Sequence, residues 1–127
     1  MAKEIILTQK APAPIGPYSQ AIKVGKMIFT AGQIAINLET NQIDETTIEG
    51  QTRQVLLNLK AVLNQAGCDL ENVVKTTVFL KDINDFAAMN KVYGEFFTKN
   101  PPARSALEVA RLPKDAKVEI EAIAALD

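Results

Sequence analysis

The sequence has 127 residues, 47% of them hydrophobic, which is enough for one compact domain with a core of its own. We therefore expect a single domain over residues 1–127. Its 14 basic and 15 acidic residues give a net charge of −1. Because no long run of one sign is present, the charge pattern disfavours non-specific binding to nucleic acid or to an anionic membrane.

Histidine is absent, and Cys68 is the one cysteine. The chain therefore lacks the commonest acid/base at neutral pH and cannot build a thiolate metal cluster. Any chemistry must use carboxylates, tyrosine, lysine, arginine, backbone groups and water. The opening segment, MAKEIILTQKAPAP, has neither the apolar stretch of a signal peptide nor that of a membrane-spanning helix. We therefore expect a cytosolic protein that does not enter a membrane.

The first third of the chain reads as strands and turns. A short strand is predicted at EIILT (residues 4–8), followed by an ordered loop over residues 11–20, where three prolines and a glycine restrict the backbone. Residues 21–36 contain two apolar runs broken at Gly25, which predicts a hairpin. The polar segment NLETNQID (residues 37–44) predicts a turn.

Two amphipathic helices follow. Thr46 and Glu49 fit a capping box, and apolar residues then recur at helical spacing until Gly67, which predicts a helix of roughly five turns. A second helix is predicted within residues 82–99, where Phe, Met, Val and Tyr side chains share one side.

Three further strands are predicted at residues 73–80, 103–110 and 117–126 from β-branched residues or period-two alternation. The order is β-β-β-α-β-α-β-β. This order predicts an α+β fold in which two helices cover one face of a mixed sheet.

The last predicted strand, residues 117–126, carries apolar side chains on both faces. Two helices cannot cover both faces of one sheet, so we interpret the second apolar face as a contact between subunits. The alternative is a face lined only by small residues.

Arg104 lies in the alternating segment ARSALEVA and shares a face with Ala106. A guanidinium binds a carboxylate through two parallel hydrogen bonds, and a small neighbour leaves room for such a ligand. The alternative is an ion pair between Arg104 and a strand glutamate, Glu119 or Glu121, because charged residues in half-buried strands are usually paired.

Four other residues are candidates for chemistry. Glu119 and Glu121 share one face of a mostly apolar strand, where partial burial would tune a carboxylate to exchange protons with water, although solvation or pairing is the simpler role. Tyr18, in the proline-rich loop, could donate to an anion or merely pack. Gly32 allows a ligand or another backbone to approach closely, or marks a bulge. Without a histidine partner, Cys68 is predicted to be structural.

The sequence also resembles one known family over nearly its whole length. Five fragments carry the resemblance, in the family's order and spacing: IGPYSQAI, FTAGQI, VVKTTVFLKDINDFAAMNKVY, PPARSALEVARLPKD and VEIEAIA. They are similar to the signatures of the Rid family, also called YjgF or L-PSP, and most similar to its RidA subgroup of 2-iminobutanoate/2-iminopropanoate deaminases. The resemblance implies an α+β fold like that of AroH-type chorismate mutase, assembled as a homotrimer with clefts between neighbouring subunits.

The resemblance also assigns roles to individual residues. It implies that Arg104 binds the substrate carboxylate and that Glu119 positions the attacking water. Tyr18 matches the family's loop tyrosine, Gly32 its cleft glycine, and Asn90 the asparagine that lines the cleft.

Two positions depart from the family pattern. Ala31 stands where serine is common, so a hydroxyl hydrogen bond is missing and the preferred substrate is in question. Ala106 stands where many members have cysteine. Since the family uses backbone groups at that position, alanine should be tolerated there as part of the substrate site.

The resemblance implies hydrolysis of reactive enamine and imine intermediates, such as 2-aminoacrylate and 2-aminocrotonate with their imine tautomers, to 2-keto acid and ammonia. No metal or organic cofactor is implied, and the only partners are the substrate and other copies of the chain. Three alternatives stay open. They are a non-catalytic sensor of small carboxylates, an endoribonuclease or translation inhibitor, which the charge pattern does not support, and a chaperone-like activity.

Overall fold

The computed structural model describes residues 2–127, which form eight strands, two α-helices and three short 3-10 turns. The strands are β1 (Lys3–Ile6), β2 (Ala21–Val24), β3 (Met27–Thr30), β4 (Ile36–Asn37), β5 (Gln42–Ile43), β6 (Val73–Leu80), β7 (Ala103–Glu108) and β8 (Val118–Ala125). The helices are α1 (Ile48–Gln65) and α2 (Phe86–Phe96). None of these helices is long and apolar enough to cross a membrane.

Six strands form one mixed sheet in the order β1-β2-β3-β8-β6-β7. Only β6 and β7 run parallel; they are joined through α2, as a parallel pair requires a crossover. The predicted succession of strands and helices is confirmed, apart from two short strands, β4 and β5, that lie between β3 and α1. The predicted hairpin is β2–β3, and its turn contains Gly25 with a φ of 59°, a conformation that glycine adopts without strain.

The prediction of a polar turn over residues 37–44 was partly wrong. Residues 37–44 include most of a small second sheet, in which β4 pairs antiparallel with β5. The connecting turn contains Asn41 at a φ of 59°. Asparagine tolerates this left-handed conformation, which is why so polar a segment still forms a hairpin.

Helix α1 has the predicted length but not the predicted cap. Its N-cap is Thr47, whose hydroxyl accepts a hydrogen bond from the Gly50 N–H at 3.0 Å, so the Thr46 and Glu49 capping box was wrong by one residue. The helix ends as predicted: Gly67 follows the C-cap with a φ of 90°, where the left-handed conformation stops the helix.

Helix α2 is shorter than the predicted segment. A 3-10 turn at Ile83–Asp85 leads into it, and the Pro101 and Pro102 pair stands downstream of its end at Phe96. Met89, Val92 and Tyr93 are buried, on the side that the apolar spacing indicated.

The two helices pack together on one face of the sheet, and α1 contacts β8 and β3. The helix-facing side chains of β8 are buried, and with α1 they form the hydrophobic core. The residues are Val118, Ile120, Ala122 and Ala124.

The opposite face of the sheet, here called the open face, carries large apolar side chains. Phe29 is 44% exposed and lies opposite Ile123 of β8 in the strand register. Ile5 and Leu107, on the same face, are 58% and 42% exposed. The alternative of a face lined only by small residues was therefore wrong. Exposed apolar surface of this kind is characteristic of an interaction site.

Candidate active site

Several of the predicted residues line a cavity of about 500 Å³ beside β8, here called the glutamate cavity. It is bounded by the proline-rich loop, the segment after β3 and the turn before β8. Its lining residues are Pro12, Ala13, Ile15, Tyr18, Ala31, Gly32, Gln33, Ile34, Ile36, Pro113, Lys114 and Glu119. The walls are mainly apolar, and Glu119, Lys114 and Tyr18 bring charge and hydrogen-bonding capacity, as in a small-molecule site.

Glu119 lies on the open face of β8 and is partly buried. Burial, with a smaller contribution from the nearby Glu121 carboxylate, raises the pKa of Glu119 above its ordinary value. A carboxylate in such surroundings is a better proton acceptor from water than an exposed one.

The Glu119 carboxylate occupies the space beside Gly32 where a side chain would lie. A Cβ at Gly32 would stand 2.0 Å from Oε2 of Glu119, so any larger side chain would displace the carboxylate. The segment itself is fixed next to β8: the Gln33 N–H donates to the Ile120 carbonyl at 2.9 Å, and the Ile120 N–H donates to the Gln33 carbonyl at 3.1 Å. Glycine serves here to give space, because the backbone is not left-handed.

Tyr18 sits at the mouth of the glutamate cavity and is 49% exposed. Its N–H donates to the Gly16 carbonyl at 2.9 Å, and its phenol oxygen accepts from the Ile15 N–H at 3.3 Å. These contacts close a compact turn and leave the phenol proton available to an anion.

Sequence reasoning missed Gln20, which fixes the proline-rich loop. Gln20 is fully buried. Its Oε1 accepts from the Thr8 N–H at 2.7 Å, and its Nε2 donates to the carbonyls of Thr8 (3.1 Å) and Pro12 (2.9 Å). A buried polar residue is invisible in a hydrophobicity pattern, although a loop rich in prolines, which lack N–H groups, needs such a partner.

Arg104 lies on β7, on the helix-facing side, and its guanidinium packs on α2. Its central carbon is 4.8 Å from the centre of the Tyr93 ring and 5.3 Å from that of Phe86. Its Nη1 donates to Oδ1 of Asn90 at 2.7 Å. A second, more open cleft of about 380 Å³ adjoins these side chains and includes Pro101 and Pro102; we call it the arginine cleft.

The alternative in which Arg104 pairs with a strand glutamate was wrong. Arg104 is in register with Thr76, whereas Glu119 is in register with Phe79, three residues further along β6. Positions an odd number apart point to opposite faces of a strand, so the two charges lie on opposite sides of the sheet. Within residues 2–127, no ion pair of Arg104 is formed.

The structure thus divides the predicted site into two groups within one chain. Tyr18, Ala31, Gly32 and Glu119 line the glutamate cavity. Arg104 and Asn90 line the arginine cleft.

Ala106 and Cys68 lie outside both groups. Ala106 lies on the same face as Arg104 but packs against the core and lines neither cleft. Cys68 is buried, its Sγ lies 3.5 Å from the Leu63 carbonyl oxygen, and burial raises the pKa of its thiol, which agrees with the predicted structural role.

Two further residues at the clefts were not predicted. Lys114 brings a positive charge to the glutamate cavity, from a turn in which Lys114 and Asp115 both have a φ of 55°. Tyr93 was predicted only as a core residue of α2, and it also contacts Arg104. Neither position has a local sequence signal for a site. Within residues 2–127, no group of three acidic or cysteine side chains converges to hold a metal ion.

The profile of the Endoribonuclease L-PSP family matches residues 8–126. The chain belongs to this family. It is 61% identical over 124 residues to a RutC family protein of Pyrococcus abyssi, with 98% of each chain covered. It is 52% identical over 122 residues to the 2-iminobutanoate/2-iminopropanoate deaminase of Escherichia coli, with 94% of each chain covered.

A solved structure agrees with this assignment. Escherichia coli TdcF with bound serine superposes on the chain with a TM-score of 0.94 at 46% identity, covering 98% of this chain and 99% of TdcF. The resemblance to the Rid or L-PSP family and the chorismate-mutase-like α+β fold that it implied are therefore confirmed.

Proposed function

We propose that this Rid-family protein hydrolyses reactive 2-imino acids, formed from enamines such as 2-aminoacrylate and 2-aminocrotonate, to 2-keto acids and ammonia. The observation that carries the proposal is the partly buried Glu119 carboxylate, held against Gly32 in a mainly apolar cavity. Similarity to a relative named as an imine deaminase supports the reaction class. The serine bound to TdcF supports an amino-acid-like ligand.

Arg104 would bind the substrate carboxylate. Asn90 and the rings of Tyr93 and Phe86 hold its guanidinium, and among residues 2–127 only Nη1 donates a hydrogen bond. The other N–H groups are then available for the two parallel hydrogen bonds that a carboxylate accepts. Binding through this fixed group orients the imine carbon for attack.

Glu119 would act as the base and then the acid. With the substrate as its iminium form, it takes a proton from a water molecule while the water oxygen bonds to the iminium carbon and the C=N π electrons move to nitrogen, which gives a neutral tetrahedral carbinolamine. It then returns that proton to the amine nitrogen; the C–N bond breaks and ammonia leaves, while the hydroxyl oxygen becomes the keto oxygen and its proton passes to the Glu119 carboxylate, which releases it to ammonia or solvent. The raised pKa of Glu119 brings the carboxyl closer to working pH, which favours transfer in both directions. Tyr18 and the backbone near Gly32 would hold the substrate plane.

We further propose that the complete site forms between subunits of a homotrimer. Arg104 and Glu119 lie on opposite faces of one sheet, so these two side chains of one chain cannot both contact the same small substrate. A cleft between neighbouring subunits would join the arginine cleft of one chain to the glutamate cavity of the next. The exposed apolar side chains of the open face, such as Phe29 and Ile5, supply a surface for this assembly.

The direct test couples a threonine dehydratase, which releases the imine precursor, to this protein and follows the appearance of 2-keto acid. We expect the wild type to exceed the spontaneous rate. Glu119→Gln should lower kcat by about a hundredfold or more, because the proton acceptor is lost. Arg104→Ala should raise KM by roughly ten- to a hundredfold, since charged hydrogen bonds to the carboxylate are removed.

Matched controls come from an exposed ion pair whose two residues line neither cleft. Arg53 and Glu95 are 3.3 Å apart on the outer surface of the helices, so Arg53→Ala and Glu95→Gln should keep wild-type rates. A wild type that leaves the spontaneous rate unchanged would overturn the deaminase proposal. If it still bound 2-oxobutanoate, and Glu119→Gln bound it equally well, the sensor function would be favoured.

A further inference from the structure

The guanidinium of Arg104 rests on an aromatic ring that is itself fixed by a buried hydrogen bond. The Tyr93 ring centre is 4.8 Å from the guanidinium carbon, and Tyr93 is only 5% exposed. The phenol oxygen lies 2.7 Å from the Thr76 hydroxyl, and Thr76 is 1% exposed. The ring also packs against Phe97, with 4.6 Å between the ring centres.

The strand register explains why these three residues meet. Thr76 of β6 is the direct partner of Arg104 in the parallel β6–β7 pair, so both side chains leave the same face at the same level. The Thr76 hydroxyl therefore holds the Tyr93 ring beside the position where the arginine side chain emerges. The strand pairing joins Thr76 to Arg104, the hydrogen bond joins Thr76 to Tyr93, and the ring contact joins Tyr93 to Arg104, so each of the three residues contacts the other two.

Tyr93 is not placed to act on a substrate itself. Its hydroxyl is used by Thr76 in the interior, and burial, the main cause, raises the pKa of the phenol, so it stays protonated. What it presents to the arginine cleft is the face of its ring, which attracts a cation by its quadrupole.

We propose that Tyr93, held by Thr76, is a positioning residue that sets the orientation of Arg104 for carboxylate binding. The inference rests on the proposed role of Arg104 in the deaminase reaction. Without the ring, the long arginine side chain regains rotamer freedom that must be lost again on each binding event. Because the carboxylate is held in both the ground state and the transition state, the effect falls on KM rather than on kcat.

The test compares three variants in the coupled assay and, without turnover, by calorimetric titration with 2-oxobutanoate. Tyr93→Leu removes the ring face and should raise KM and the 2-oxobutanoate Kd by roughly three- to tenfold with kcat kept. Tyr93→Phe keeps the ring, which Phe97 still supports, but loses the hydrogen bond that fixes it, and should raise KM and Kd by only about two- to threefold. Thr76→Ser keeps the hydroxyl and should match the wild type, whereas Thr76→Val should resemble Tyr93→Phe.

The outcomes separate positioning from a purely structural role. A Tyr93→Leu protein that is less thermally stable but has wild-type KM and Kd would overturn the inference, as would a fall in its kcat at constant KM. If Tyr93→Leu does not fold, the comparison of Thr76→Val with Thr76→Ser tests the inference instead. Equal Kd values for these two variants would count against the inference. A wild type without 2-oxobutanoate binding would instead refute the carboxylate role of Arg104 and hence the proposed function.

Discussion

At the scale of single residues, Gly32 and Glu119 are a matched pair. The glycine is not needed for an unusual backbone angle but for the space that the carboxylate occupies. A sequence pattern shows that a glycine is present and that a glutamate lies on an apolar strand. It does not show that the two side-chain positions coincide.

Gly32→Ala should therefore impair activity while the fold is kept. The added Cβ would stand 2.0 Å from Oε2 and 2.8 Å from Cδ of Glu119, so the carboxylate must rotate away from its place. We expect kcat to fall about a hundredfold, since displacement of a catalytic group by about 1 Å has effects of that size. Steady-state kinetics and circular dichroism of the variant test this.

The control for this change is Gly94→Ala, in which the same methyl group meets no atom within 4 Å. Gly94 lies within α2, where alanine is favoured over glycine by about 0.5–1 kcal/mol, so stability should rise. Because Gly94 lines the arginine cleft, the comparison is made on kcat and not on KM, and kcat should be kept since Glu119 is not displaced. Wild-type kcat in Gly32→Ala would show that the position of the Glu119 carboxylate is not critical for turnover.

At the scale of the elements, the start of α1 depends both on the capping preference of the local sequence and on the tertiary structure. Thr46 and Thr47 are adjacent and both exposed. Glu49 lies three residues after Thr46 and Gly50 three residues after Thr47, so each threonine has a possible capping partner. Only the path of the chain after β5 decides which threonine takes the extended N-cap conformation. Here it is Thr47, with φ −100° and ψ 154°.

Thr47→Ala should destabilise the protein by about 1 kcal/mol, because the Gly50 N–H loses the hydroxyl that it donates to. The neighbouring Thr46→Ala should change the free energy of unfolding by less than about 0.5 kcal/mol. Urea unfolding of both variants at one protein concentration provides the comparison. Equal effects, or a larger effect of Thr46→Ala, would contradict the cap seen in the structure.

At the scale of the whole molecule, the division of the site between two faces of the sheet has the largest consequence for function. If each site joins Arg104 of one subunit to Glu119 of the next, two variants that are each impaired at substrate concentrations below the wild-type KM can complement each other. Mixed trimers of Arg104→Ala and Glu119→Gln chains would contain clefts in which both wild-type residues are present. Random association at equal amounts gives about one such cleft in four over all trimers, but about one in three in the trimers that contain both chains, so doubly purified assemblies should reach about a third of the wild-type rate.

The measurement is the coupled imine assay on co-expressed chains that carry different affinity tags and are purified through both. With substrate below the wild-type KM, each variant assembled alone, and the two assembled separately and then mixed without subunit exchange, should have no more than about a tenth of the wild-type rate. Absence of recovered activity in the doubly tagged assemblies would mean that Arg104 and Glu119 do not meet across subunits.

The sequence by itself determined the order of the elements apart from β4 and β5, the hairpin at Gly25, the end of α1 at Gly67 and the presence of a second apolar face. These follow from short-range properties, namely periodicity, glycine conformation and strand alternation, which the chain carries locally. The resemblance of five ordered fragments determined the family, and with it Asn90, which has no signal of its own.

Only the tertiary structure decided the arrangement of the site. That Arg104 and Glu119 lie on opposite faces depends on the registers of β7 and β8 against β6, which long-range packing sets. The contact of Tyr93 with Arg104, and of Gly32 with Glu119, joins residues that are distant in sequence. Such contacts leave no periodic trace in the sequence, because each partner by itself is compatible with an ordinary helix or strand.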